Sequence, residues 1–275
     1  MMMTRKTTSL VAAVLLAALS LSACGDKDDK AAGTSADPKA SSANTSKDLT
    51  QASFMSVVTA AQSKARTSHV SMDVGFGGQS IKAEGDVEIG ASAADTAMSM
   101  TMDMGSAVGN MELRLVDQVF YLNFGPMTQN KFAKIDLTDD SNAAGQQYGQ
   151  LLDQMDPSKQ LEAFNEAMTS FEKKGSPKKI DGVDAQPYEL VLDTAKIASV
   201  AELPGGAADS MPKTLTYTMF LGPDNLPRRM STEVSGSAIT VDYSKWGETV
   251  EIKAPSAAEI SDQDLGKLMS GELAG

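Results

Sequence analysis

The chain has 275 residues, with 24 Lys and Arg against 36 Asp and Glu and a formal net charge of -12. A chain this acidic, with no basic cluster, is a poor partner for nucleic acid, and anionic headgroups repel it. The length suits one folded domain of about 200 residues with flanking segments, and the single cysteine, Cys24, leaves no disulfide for the fold to rest on.

The chain starts with Arg5 and Lys6, continues through an apolar run from Leu10 to Leu21, and closes that run with Leu21-Ser22-Ala23-Cys24-Gly25. Charged, then apolar, then small residues is the order of a secretory signal. The run is too short for a mature membrane-spanning helix, which needs roughly 20 residues. A cysteine directly after Leu-Ser-Ala resembles a bacterial lipobox, where the chain is cut before the cysteine and the thiol is acylated. Residues 1–23 are therefore expected to be a lipoprotein signal peptide. Cys24 is the expected lipidation site, carrying palmitate-type chains. Two or more such chains make a stable membrane anchor, so the expected location is the outer, extracytoplasmic face of the cell membrane.

Residues 24–48 are a different material. Gly25 to Asp48 includes no aromatic and no large aliphatic side chain, too little apolar surface to offset the entropy of ordering. This stretch reads as a flexible tether that spans roughly 25–30 Å as a random coil.

The folded domain is expected over 49–254. Leu49 to Arg66 reads as an amphipathic helix, with Phe54, Val57, Val58, Ala61 and Ala65 at helical spacing and Lys64 and Arg66 in the last turn. The period then changes to two. Val70, Met72, Val74 and Phe76 alternate with small or polar residues; Ile81, Ala83, Gly85, Val87 and Ile89 do the same. Met98, Met100, Met102 and Met104 alternate with Ser99, Thr101 and Asp103. Met111, Leu113 and Leu115 follow, then a run from Val119 to Phe124. Short half-buried strands in succession predict an antiparallel meander with one wet face.

The middle reads as helical. Tyr148, Leu151, Leu152 and Met155 mark one helix over 146–155. Asp156-Pro157 starts another, with Leu161, Phe164, Met168 and Phe171 on its face and its end at Lys173-Lys174-Gly175. A short helix is expected near 194–203. Strands return at Pro187–Leu192, Thr214–Leu221, Leu226–Val234 and Ala238–Tyr243. Gly222-Pro223-Asp224-Asn225 supplies a turn, Gly236 another, and Val250–Lys253 reads as a last strand. The tail over 255–275 is polar and reads as frayed. Strands, helices, then strands predicts an α+β fold with one large antiparallel sheet.

The segment Tyr243-Ser244-Lys245-Trp246-Gly247-Glu248-Thr249-Val250-Glu251-Ile252 resembles the LppX/LprG family of actinobacterial lipoproteins. Gly182 to Leu190 resembles the family's glycine-to-aromatic strand start, and Leu221 to Met230 resembles its hairpin before the last strands. The resemblance implies a LolA-like half-barrel: a curved antiparallel sheet wrapped around a few helices. It also implies an acylated lipid or glycolipid held between sheet and helices, lipid transport in the cell envelope, and no catalytic residues. A membrane transporter or other envelope protein is a further candidate partner. A sensor or partner-binding module of the same fold, with no lipid cargo, is the alternative.

Chemistry and resemblance meet at the methionines. An unbranched thioether adapts to irregular apolar shapes, so Met98, Met100, Met102 and Met104 suit a cavity wall. Leu113, Phe120, Leu122, Phe164, Met168, Tyr217 and Met219 are the other candidate lining residues; all of them would equally fill a closed core. Thioethers also suit Cu(I), but His69 is the only histidine and no histidine–methionine cluster supports a metal. No cofactor is expected. His69 has no neighbouring nucleophile motif, and there is no Gly-x-Ser-x-Gly, phosphate loop or histidine pair. A carboxylate pair for glycoside cleavage stays open on sequence alone, although most acids fall on wet strand faces; an enzyme is not expected. Trp246 is expected to pack where the last strands turn, with Gly247 freeing the backbone.

Overall fold

The computed structural model describes residues 49–76, 79–105, 109–138, 164–200 and 212–261. The signal segment 1–23, Cys24, the tether to residue 48, the expected helix over 146–155, the helix start at 156–161, the end of the short helix over 201–203 and the tail past 261 lie outside these residues.

The period-two segments form one open, curved, 12-stranded antiparallel sheet, and the fold is α+β. The strands are β1 (Thr67–Phe76), β2 (Gln79–Glu88), β3 (Ala97–Asp103), β4 (Asn110–Val116), β5 (Val119–Asn123), β6 (Ala133–Asp136), β7 (Met168–Lys173), β8 (Lys178–Ile180), β9 (Val183–Asp193), β10 (Thr214–Leu221), β11 (Pro227–Val234) and β12 (Ser237–Ser244). Their order across the sheet is β6-β5-β4-β3-β2-β1-β12-β11-β10-β9-β7, with β8 beside β9. Two meanders, β1 to β6 and β9 to β12, therefore meet at a β1–β12 seam. Right-handed strand twist, summed over so many strands, bends such a sheet into a trough.

Tight turns set the register. Asp117-Gln118, Asp181-Gly182 and Ser235-Gly236 each hold two successive positive φ values, the geometry of two-residue hairpins. Val116 pairs with Val119, Ile180 with Val183 and Val234 with Ser237 on either side of them.

Helix α1 (Gln51–Ala65) starts where the Thr50 amide donates to Ser53 Oγ at 3.0 Å, which satisfies an orphan group at the helix start. It ends at Arg66, whose φ of 68° turns the chain toward β1. Its buried residues are Phe54, Met55, Val58, Thr59 and Gln62. The buried face is thus rotated from the expected stripe: Val57, Ala61 and Ala65 flank it, and two polar residues sit inside. A second short helix, α2 (Thr194–Val200), follows β9.

Several expectations are corrected. Met168 to Lys173 is strand β7, not the end of a helix. The ladder shifts between Met168 and Ser170, so Met168 pairs with Leu192 and Phe171 with Leu190. A bulge of one extra residue puts residues three apart on one face of a strand, which is the spacing that read as helical. The segment 250–253 is not a strand; it has no ladder partner, and its tie is the Arg114 guanidinium donating to the Lys253 carbonyl at 3.4 Å. The tail is docked rather than frayed as far as Ser261. The Phe132 amide donates to Glu259 O at 2.8 Å and the Ser261 amide to Phe132 O at 2.7 Å, while Arg114 lies 4.7 Å from the centre of the Phe132 ring. Strands β6 and β8 were not expected from sequence; they are short and carry charged residues, so alternation leaves little trace.

Candidate functional site

Directly paired residues in an antiparallel ladder share a face, so the register defines rows across the sheet. One row runs Met111, Met102, Ala83, Met72, Val241, Met230, Met219, Tyr188 from β4 to β9. Met111, Met102, Met72, Met230 and Met219 thus form a thioether belt perpendicular to the strands. The next row runs Leu122, Leu113, Met100, Gly85, Val70, Tyr243. A third holds Phe120, Leu115, Met98, Val87 and Ser68. None of these rows contains a charged side chain.

The other face carries the charge. His69 Nδ1 lies 2.8 Å from Asp86 Oδ1 across β1 and β2. Arg229 grips Asp242 with two bonds of 2.6 and 2.9 Å, and this carboxylate raises the guanidinium pKa. Lys174 sits between Glu172 at 2.5 Å and Glu189 at 3.1 Å, and both carboxylates push its pKa up. On the inner face, burial pushes the Tyr217 and Tyr243 phenols up, the mark of a desolvated surface.

Helix α1 covers only part of this inner face. At its start, Gln51 Nε2 donates to the Met168 carbonyl of β7 at 2.7 Å. Phe54, Met55 and Val58 then pack with Met168, Tyr188, Leu190, Leu192, Met219 and Leu221. At its end, Arg66 leads into β1, and its carbonyl accepts from the Ile89 amide. Helix α1 therefore crosses from β7 to β1. Its 15 residues span about 22 Å, close to the about 24 Å across the five strand gaps it bridges. The inner face of β2 to β5 lies past its reach.

The predicted residues fall into two groups along this division. Met98, Met100 and Met102 are buried beyond the reach of α1, and Met104, Leu113 and Phe120 pack against them half-buried. Leu122 is half-buried opposite Leu113. Met168 and Met219 belong to the core beneath α1, with Phe164 and Tyr217 packed against it. Met72, Met230, Val241 and Tyr243 complete the face and were missed as a set. Each stands on an apolar strand face, but only the register aligns them.

Trp246 closes one end of the face. Its Nε1 donates to the Pro227 carbonyl at 2.8 Å, and its ring stacks on Tyr243 with centroids 5.9 Å apart. Lys245 and Gly247 take positive φ, and the Gly247 amide donates to Thr67 O at 3.0 Å. The segment that carried the family resemblance is therefore the turn that locks β12 to the start of β1.

Among the described residues no group of three or more His, Cys, Asp or Glu is arranged to hold a metal ion, and no helix is long and apolar enough to cross a membrane. The arrangement offers adhesion to apolar, flexible chains.

An open, curved antiparallel sheet crossed by an N-terminal helix is the LppX-like α+β architecture that the sequence resemblance implied. No family model and no curated protein matches the chain by sequence. Among solved structures, the chain is similar to the lipoprotein LppX of Mycobacterium tuberculosis, with a TM-score of 0.51 and 14% identity over 74% of this chain and 98% of that one. It is similar also to LprF from Mycobacterium bovis, with a TM-score of 0.50 and 15% identity over 75% of this chain and 97% of that one. At such identities the likeness is one of fold.

Proposed function

We propose that the protein is a lipid-anchored lipoprotein of the cell envelope that binds, and carries, acylated lipids or lipoglycans on the inner face of its sheet. Cys24 would hold it to the outer face of the membrane, with residues 25–48 as the tether. Met98, Met100, Met102, Met104, Leu113, Phe120 and Leu122 would take the acyl chains, and Phe164, Met168, Tyr217 and Met219 would close the α1 side. A membrane transporter or another envelope protein would supply or accept the cargo.

One observation carries this reading. Leu113, Leu115 and Leu122 are apolar, face inward and remain half-buried past the reach of α1. Apolar surface left in water costs about 25 cal/mol per Å². Acyl chains would remove that surface without needing polar partners, and the thioether belt can adapt to chains of different shape.

Native mass spectrometry on the protein, purified without detergent from an actinobacterial host, tests it. A non-covalent species released on denaturation and carrying acyl chains is expected; acylation at Cys24 survives denaturation and is separated by that step. A clean mass with no uptake of added glycolipid would overturn the proposal in favour of a partner-binding module.

A further inference from the structure

Helix α1 buries polar side chains in its apolar face. Thr59 and Gln62 are each only 3% exposed, and Thr59 Oγ1, Gln62 Oε1 and Ser63 Oγ have no hydrogen-bond partner among the described residues. Such atoms are rare in folded proteins and each calls for an explanation. Gln62 follows Val58 by one turn on the face that packs Phe54, Met55 and Val58 into the core. A leucine or methionine there would avoid the cost of an unmet amide. Because α1 runs from β7 to β1, its last turns lie at the border between the covered core and the methionine-lined half.

We propose that Gln62 and Thr59 read the polar part of the bound lipid, through a neutral hydrogen-bonding group such as the ester or hydroxyl of an acylated glycerol or sugar. This rests on the lipid-binding reading and deepens it. The group would be neutral because the inner rows hold no charge, while the nearby cations Lys64 and Arg66 are exposed. An anion brought there would be desolvated with no counter-charge. Ser63, one position on, offers a further donor at the edge of the same face.

The test uses two probes that share apolar character and differ in polarity. Dioleoylglycerol and hexadecane each compete with an environment-sensitive dye for the purified protein. The Gln62→Met variant should bind dioleoylglycerol roughly ten-fold more weakly, keep its affinity for hexadecane, and melt no lower than the wild type. Thr59→Val should shift the same preference in the same direction, and it decides the matter if Gln62→Met fails to fold. Equal loss for both probes, or no loss for either, assigns the amide a structural role and overturns the inference. A wild type that binds hexadecane but not dioleoylglycerol overturns it while leaving the apolar-chain reading intact. A wild type that binds neither overturns both.

Discussion

Gly85 and Met100 stand directly opposite each other on β2 and β3, and the methionine sulfur fills the space a side chain at 85 would need. A Cβ at Gly85 would fall 2.8 Å from Met100 Sδ and 1.9 Å from the Ser99 carbonyl oxygen. The sulfur can swing away; the carbonyl belongs to the ladder and cannot. Gly85→Ala is therefore expected to destabilise the protein by about 2–3 kcal/mol in urea unfolding. Adding Met100→Ala should not restore stability, because the backbone clash remains.

Two leucines separate core from candidate binding face. Leu190 is fully buried beneath α1, so Leu190→Ala should cost about 3–5 kcal/mol. Leu113 is half-buried beyond the reach of α1, so Leu113→Ala should cost less than half of that. The order reverses for binding: Leu113→Gln should cut lipid uptake in a dye-displacement assay while the fold persists. Equal stability losses at both positions would mean that the β4 face is closed core.

Trp246 contributes through a ring and through a hydrogen bond, and the two are separable. Trp246→Phe keeps the stack on Tyr243 and loses the bond to Pro227 O, at about 1 kcal/mol. Trp246→Ala loses both and should cost about 3 kcal/mol. Chemical denaturation of the two variants measures the difference.

The docked tail carries a pH dependence. The Ser256 amide and hydroxyl donate to Glu259 Oε2 at 2.9 and 2.7 Å, and these bonds hold the carboxyl below its ordinary value of 4.5. A group whose folded pKa is depressed contributes stability above the ordinary value and loses it as pH falls through the lowered one. The Ser256 amide resonance should therefore titrate with a midpoint below 4.5, the ordinary value, and the 256–261 turn should loosen beneath it. Glu259→Gln should abolish that titration.

Cys24→Ala tests the anchor. Fractionation of cells expressing the variant should move the protein out of the membrane fraction. Retention in the membrane would overturn lipidation as the anchor.

Much of the sheet is legible in the sequence because its strands are wet on one face. Met98, Met100 and Met102 alternate with Ser99, Thr101 and Asp103, and that pattern is β3. The Asp117-Gln118 turn hides because neither residue is glycine. β7 hides because its bulge imitates helical spacing between Met168 and Phe171. The candidate site is legible only residue by residue. Met72 and Met230 sit far apart in sequence, and their place in one belt depends on register through Val241, which no local pattern encodes. Gln62 is hidden more deeply: a glutamine at the edge of an apolar stripe reads as a wet residue, and only the crossing of α1 over the sheet puts it inside.

The seam between β1 and β12 sets a timetable. Thr67 Oγ1 donates to Glu248 O across 181 positions of chain, so the two meanders cannot join until nearly all the polypeptide is present. Contacts this distant in sequence are slow to form. Until they form, the first meander has an open edge at β1 and an unfilled apolar face. The order of synthesis and the order of pairing are thus opposed: β1, among the first strands made, waits for β12, the last of them, before its second edge is filled.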